Sequence, residues 1–212
     1  KYLLQGLENM TTGHYICAVK RKIDKLDIID AGLEIMFERG YGSTGIKDIT
    51  DMVDIPKGSF YNHFNSKEDF GIEVVEYYTA NGIEMHKRNL LNSEKSPVQR
   101  LKDHYAGMIA HLGSTTDYKL GCVMSNFSTE MADVNENFRK VLDRDFTAIQ
   151  DIIKECIQEA QIEGEIDAKK DANQIAGFIL NSWHGALVRM KSTANAQPLE
   201  DFREVIFTSV LN

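Results

Sequence analysis

The chain has 212 residues, 42% hydrophobic and 26% charged, with a formal net charge of −8. That is ordinary globular composition with ample material for a core, and the acidic balance excludes a protein that coats nucleic acid wholesale. No stretch approaches the roughly 20 apolar residues of a membrane span, and the three widely spaced cysteines suggest neither a disulfide framework nor a zinc site.

The expectation is a soluble, cytoplasmic, all-α protein, since only three prolines interrupt the sequence. Residues 1–70 hold 9 Lys/Arg and 11 Asp/Glu, so any nucleic-acid surface must be a local patch. Residues 1–22 read as an arm or leader. Its first part has no clear secretory cleavage site and reads as a tag or solvated leader, whereas Lys20, Arg21 and Lys22 read as a basic arm toward a phosphate backbone.

From Ile23 the helical period is plain. Leu26, Ile29, Leu33, Met36 and Phe37 form one stripe, and Gly40 closes the helix where glycine is favoured. A short helix is expected over 45–53, with Thr44 as N-cap and Ile46, Ile49 and Val53 buried. After Asp54-Ile55, Pro56 opens a third helix running to Phe64. Two short helices joined by a tight turn make a helix-turn-helix. Ser66 and Asp69 approach a capping box, opening a long helix over 67–91. Further helices are expected over 97–113, 121–132, 133–164, 169–193 and 199–211. This divides the chain into an arm (1–22), a helix-turn-helix domain (23–66) and a larger helical domain (67–212).

Residues 31–70, AGLEIMFERGYGSTGIKDITDMVDIPKGSFYNHFNSKEDF, carry a specific ordered set. Phe37, Gly40, Tyr41, Thr44, Asp48 and Ile49 are followed by Lys57-Gly58-Ser59-Phe60-Tyr61, His63-Phe64 and Ser66-Lys67-Glu68. The segment resembles the TetR family of bacterial regulators. It departs from the pattern at Asp54, where glycine is usual, and at Pro56, where serine is frequent. Residues 118–142, YKLGCVMSNFSTEMADVNENFRKVL, are similar to a subset of that family bearing Gly-Cys before an apolar helix.

The resemblance implies a ligand-responsive regulator that represses by binding a pseudo-palindromic double-stranded operator as a homodimer. A small-molecule or electrophile effector would release it. Lys57, Gly58 and Ser59 would face the major groove, with Tyr61 and Asn62 one turn on. Gly58 would let the backbone approach DNA closely. Tyr61 and His63 would anchor phosphates, although His63 reads equally as a packed core histidine. Lys47 matches a position that reaches the groove, and Thr44 and Lys67 lie at helix starts that favour an anion.

In the helical domain over 67–212, the effector-binding and dimerisation domain that the resemblance implies, the effector pocket is expected among Tyr105, Met108, Met124, Phe127, Met131, Trp183 and His184, any one of which also reads as ordinary core. The dimer interface is expected at Phe178, Trp183, Leu187, Met190, Phe202 and Ile206, residues that read equally as intramolecular core. Cys122, at a helix start, has two readings: a small buried apolar residue, or a sensor thiol activated by the helix dipole. No cofactor, metal site or catalytic set is expected, since Glu130, Asp133, His104, His111 and His184 lack catalytic spacing. The competing readings are a helical small-molecule enzyme and a dimeric scaffold without DNA binding.

Overall fold

The computed structural model describes residues 23–92 and 94–212; the expected basic arm lies outside them. Among the described residues all regular structure is helical. The helices are α1 (Lys25–Arg39), α2 (Ile46–Met52), α3 (Lys57–Phe60), α4 (Lys67–Leu90), α5 (Pro97–Thr116), α6 (Val123–Met131), α7 (Glu136–Ile162), α8 (Ala172–Thr193) and α9 (Gln197–Val205). Two compact units divide within α4, after Val74.

In the first unit, a capping box opens α1: Asp27 N–H donates to Asp24 at 3.0 Å and Asp24 N–H to Asp27 at 3.0 Å. Gly40 closes the helix at φ 82°, its N–H reaching Met36 O. The buried face differs in phase from the expected stripe. It is centred on Ile28, Gly32 and Ile35, with Ile29 and Met36, while Leu26 is 53% exposed. The reason is Gly32, which has no side chain to mark the face. The ring of Phe70 occupies the place of its missing side chain; a Cβ there would lie 2.2 Å from Phe70 Cζ.

Phe70 stacks with Phe60 and Phe64, all three fully or almost fully buried, at centroid distances of 4.7–5.2 Å. This aromatic trio fixes the segment carrying α3. The segment is less helical than its sequence suggests. Only four residues are α-helical, and tighter turns carry the chain to Phe64, with Asn62 N–H donating to Ser59 O and His63 N–H to Phe60 O.

Thr44 is not the N-cap of α2. That position is Gly45, whose N–H donates to the Asp48 carboxylate at 2.8 Å, while Thr44 is buried and its hydroxyl donates to Gly40 O at 2.7 Å. Asp54 sits at φ 51°, the left-handed conformation that glycine usually fills in such a turn. The Ser66 hydroxyl accepts from Asp69 N–H, but the Asp69 carboxylate reaches Asn65 N–H instead of completing a capping box.

In the second unit (Val75–Asn212), α7 packs on α5, α6 and α8, and α9 packs on α8 and α5. Asn135 and Asp171 cap α7 and α8 through their side chains. Buried Asp145 of α7 accepts from the Thr79 hydroxyl at 2.6 Å and from Arg144 Nε at 2.7 Å, and Arg144 also reaches Glu76 at 3.2 Å. The last expected helix is two pieces: α9 gives way to a π-helical turn, Ile206–Val210.

Candidate DNA-binding face and effector core

The α3 segment is anchored on one side by Phe60 and Phe64 and open on the other. Lys57, Gly58, Tyr61, Asn62 and His63 are exposed, Tyr61 by 49% despite its size. Exposing half of a tyrosine forgoes apolar burial, so this face is not spent on the fold. A Cβ on Gly58 would meet nothing within 4 Å. His63 falls on the exposed side rather than in the core. Ser59 is half-buried, and Lys47 of α2 is exposed.

Two expected contacts are committed elsewhere. Thr44 is buried, and both its hydroxyl and its N–H are used within the turn. Lys67 Nζ donates to Tyr41 O at 2.7 Å and lies 4.2 Å from the Tyr41 ring centroid. Helix-start position alone suggested an anion site for both, and it does not reveal where a side chain points.

The expected pocket residues divide. Tyr105, Met124, Phe127 and Trp183 are buried in the second unit, while Met108, Met131 and His184 are half-buried. Tyr105, Trp183 and Phe202 form an aromatic cluster with centroids 5.0–5.4 Å apart. His184 Nδ1 shares a 2.7 Å hydrogen bond with the Ser125 hydroxyl, and its ring meets Phe146 edge-on at 5.0 Å. A surface groove of about 570 Å³ between α5 and α9, lined by Lys102, Asp103, Arg203 and Phe207, includes none of the seven.

Sequence reasoning passed over His86 and named His104 only as a scattered histidine. Both are buried, with rings 4.6 Å apart. Their signal lay in the pattern: His104 falls on the Leu101–Tyr105 face of α5 and His86 on the Thr79–Leu90 face of α4.

Five of the six expected dimer residues belong to the core of the second unit. Trp183, Leu187, Met190, Phe202 and Ile206 are all buried, and only Phe178 is exposed. The apolar residues that α8 and α9 leave exposed are Phe178, Val188 and Val205, and a Cβ on Gly185 between the first two would meet nothing. Of the two readings of this regular apolar stripe, interface or intramolecular core, burial favours the core.

Cys122 is the N-cap of α6, as its place suggested, yet it is buried and its thiol pKa is raised. Burial is the largest cause, outweighing the hydrogen bonds from Ser125, Tyr78 and Met124 that lower it. Tyr78 Oη donates to Cys122 Sγ at 3.8 Å. The dipole argument is thus corrected: at neutral pH this group is a thiol. Alkylation by iodoacetamide at pH 7 is expected to be slower than that of a free cysteine, and its rate to go on climbing with pH after that of a free cysteine has levelled off. A fast, pH-independent reaction between pH 6 and 8 would sink this reading.

Among the described residues no group of three His, Cys, Asp or Glu is placed to hold a metal, and no helix is long and apolar enough to cross a membrane.

The bacterial tetR regulatory-protein model matches residues 28–74, and the tetracyclin repressor-like C-terminal domain model matches 97–206. The chain is 34% identical over 184 residues to the transcriptional repressor DhaR of Mycobacterium sp. strain GP1, covering 87% of this chain and 90% of that one. It is 31% identical over 175 residues to the regulator AcuR of Cereibacter sphaeroides, covering 82% and 80%. The crystal structure of a TetR regulatory protein from Rhodobacter sphaeroides superposes with a TM-score of 0.79 at 30% identity, over 85% of this chain and 95% of that one. With both halves matched and the helix-turn-helix built as described, the chain belongs to the TetR family of bacterial transcriptional regulators.

Proposed function

We propose that this regulator is a homodimeric repressor that holds a pseudo-palindromic operator and lets go when a small molecule enters its second unit. One observation carries the reading most: an exposed Lys57-Gly58…Tyr61-Asn62-His63 face backed by a fully buried aromatic anchor. A lysine reaches a guanine or phosphate, a tyrosine hydroxyl fixes register on the backbone, and the open space at Gly58 permits close approach. Lys47 and Ser59 stand beside this face, while the burial of Thr44 and the engagement of Lys67 with Tyr41 take both off the list of direct contacts.

Release follows if the effector binds the two dimer arrangements unequally, since only differential affinity shifts an equilibrium. Cys122 belongs to the second unit, where its burial and raised pKa favour a packed residue over a sensor thiol.

The test is a mobility shift on the DNA flanking the protein's own gene, run at several salt concentrations. Specific binding that weakens steeply with salt is expected. Tyr61→Ala is expected to abolish it while the dimer survives; wild-type operator binding by that variant would show the face to be wrongly assigned. For the dimer, the exposed trio Phe178, Val188 and Val205 supports an interface on α8 and α9. Phe178→Glu places a charge at its centre, where it would be buried unpaired. The expected result is a monomer by light scattering, with helicity unchanged. A dimer of undiminished affinity would move the interface elsewhere.

A further inference from the structure

We infer that His86 and His104 form the polar end of a binding site for a small uncharged carbonyl compound in the core of the second unit. The inference rests on the effector-binding reading above and names the chemical class of the effector.

His104 is 97% buried and His86 92% buried, from relative exposures of 3% and 8%. Yet His104 Nε2 and His86 Nδ1 both lack a hydrogen-bond partner. Such atoms cost free energy in a finished core, and native cores keep few of them without a reason. The pair sits where α4 and α5 meet. The rings lie 4.6 Å apart, and Tyr105, 5.2 Å from His104, connects them to Trp183.

The chemistry of the missing partner follows from the tautomer. Asn89 Nδ2 lies 3.2 Å from His104 Nδ1. With the amide donating, Nδ1 accepts and the proton resides on Nε2. His104 therefore presents an N–H with nothing to receive it. The complement is an oxygen acceptor.

Charge narrows the class. Burial, then the neighbouring His104 and His184, push His86 down to about 3, and burial pushes His104 and His184 down to about 4. All three imidazoles are uncharged at neutral pH and supply no counter-charge to an anion. The nearby cation, Arg100, one turn before His104, has its charge met by Glu159 at 2.6 Å, although its Nε, like the two imidazole nitrogens, has no hydrogen-bond partner. A carboxylate would enter unneutralised, at high cost. A ketone, aldehyde or amide oxygen takes the N–H without that cost, and its apolar remainder suits the aromatic neighbours.

The test uses the full-length protein without DNA and three probes of similar size: 2-hexanone, hexanoate and n-hexane. The readouts are the imidazole ¹H–¹⁵N resonances and the melting temperature. Saturable movement of the His104 Nε2–H resonance by 2-hexanone is expected, with a melting temperature that rises with its concentration. Hexane should bind about tenfold more weakly, lacking the hydrogen bond, and hexanoate should leave the imidazoles unmoved. Imidazole resonances indifferent to the ketone, equal affinity for hexane, or tighter binding of hexanoate would each overturn the assignment.

His86→Phe supplies a second arm. If the pair is reserved for a ligand, this variant melts no lower than wild type without probe and loses the ketone response. A lower melting temperature with the ketone response intact makes the pair purely structural and overturns the inference. The wild-type resonances decide even if that variant fails to fold. Loss of operator binding in the mobility shift would defeat the repressor reading while leaving this response unchanged, so the two failures are distinguishable.

Discussion

Acidification from pH 7 to pH 5 is expected to remove about 6 kcal/mol of stability from the effector unit through three histidines. His86, His104 and His184 are held neutral chiefly by burial, with folded-state values of about 3, 4 and 4. In the unfolded chain each takes up a proton near the ordinary 6.5. Between pH 6.5 and 4 the unfolded state therefore binds more protons than the folded one. The stabilisation is fully present above 6.5 and erodes as pH falls through that window. At pH 5 each imidazole costs about 2 kcal/mol, against a total stability of about 5–15 kcal/mol for an ordinary domain.

Carboxylates act in a different window. Asp103, held low first by its hydrogen bond to Lys95, and Glu165, held low first by Ser96, matter only below about pH 4. The single tryptophan, Trp183, lies against Tyr105 in the same core and reports its loss directly. Its fluorescence should change cooperatively between pH 6 and 4. His86→Phe should move the midpoint to lower pH, since one proton-uptake site is gone. A urea midpoint, followed by Trp183, that is the same at pH 7 and pH 5 would show that the histidines are not held neutral in the fold.

What the sequence makes legible is set by whether a residue's partner is local. The helices, Gly40 and the buried Phe60 and Phe64 follow from spacing and turn chemistry within a few residues. So does the exposure of Tyr61: once Phe60 and Phe64 fix the inner side, the residues between them point away. The errors have long-range causes. Leu26 seems to belong to the stripe of α1 until Phe70, 44 positions on, fills the gap at Gly32. Spacing leaves Trp183, Leu187 and Met190 open to either core or partner until α7 and α9 are packed against α8. Cap position leaves Cys122 open to either reading, packed residue or activated thiol, until its burial is known. The pairing of His86 with His104 joins two helices across a loop, and no spacing rule within either helix brings the two rings together.

The second large effect is expected at Gly32. An ideal Cβ there would stand 2.2 Å from Phe70 Cζ and 2.6 Å from Cε1, far inside van der Waals contact. The ring has little room to yield, because Phe60 and Phe64 hold it at 5.2 and 4.7 Å. Gly32→Ala gains about 1 kcal/mol of helix propensity against an overpacking cost of about 1–3 kcal/mol, so its net effect is modest. Gly32→Val adds two more methyl groups and loses most of that propensity gain, for a net destabilisation of about 3 kcal/mol or more. The trio that seats Phe60 is also what presents Tyr61, so specific DNA binding should fall together with the melting temperature. Pairing the change with Phe70→Leu removes the ring that the new side chain strikes and should recover part of the loss. The double variant therefore separates steric conflict at this contact from a general intolerance of β-branched residues in α1. If Gly32→Val alone melts and binds as wild type does, Phe70 does not pack where it has been placed. If the double variant is no better than Gly32→Val, the cost lies in the helix and not in the ring.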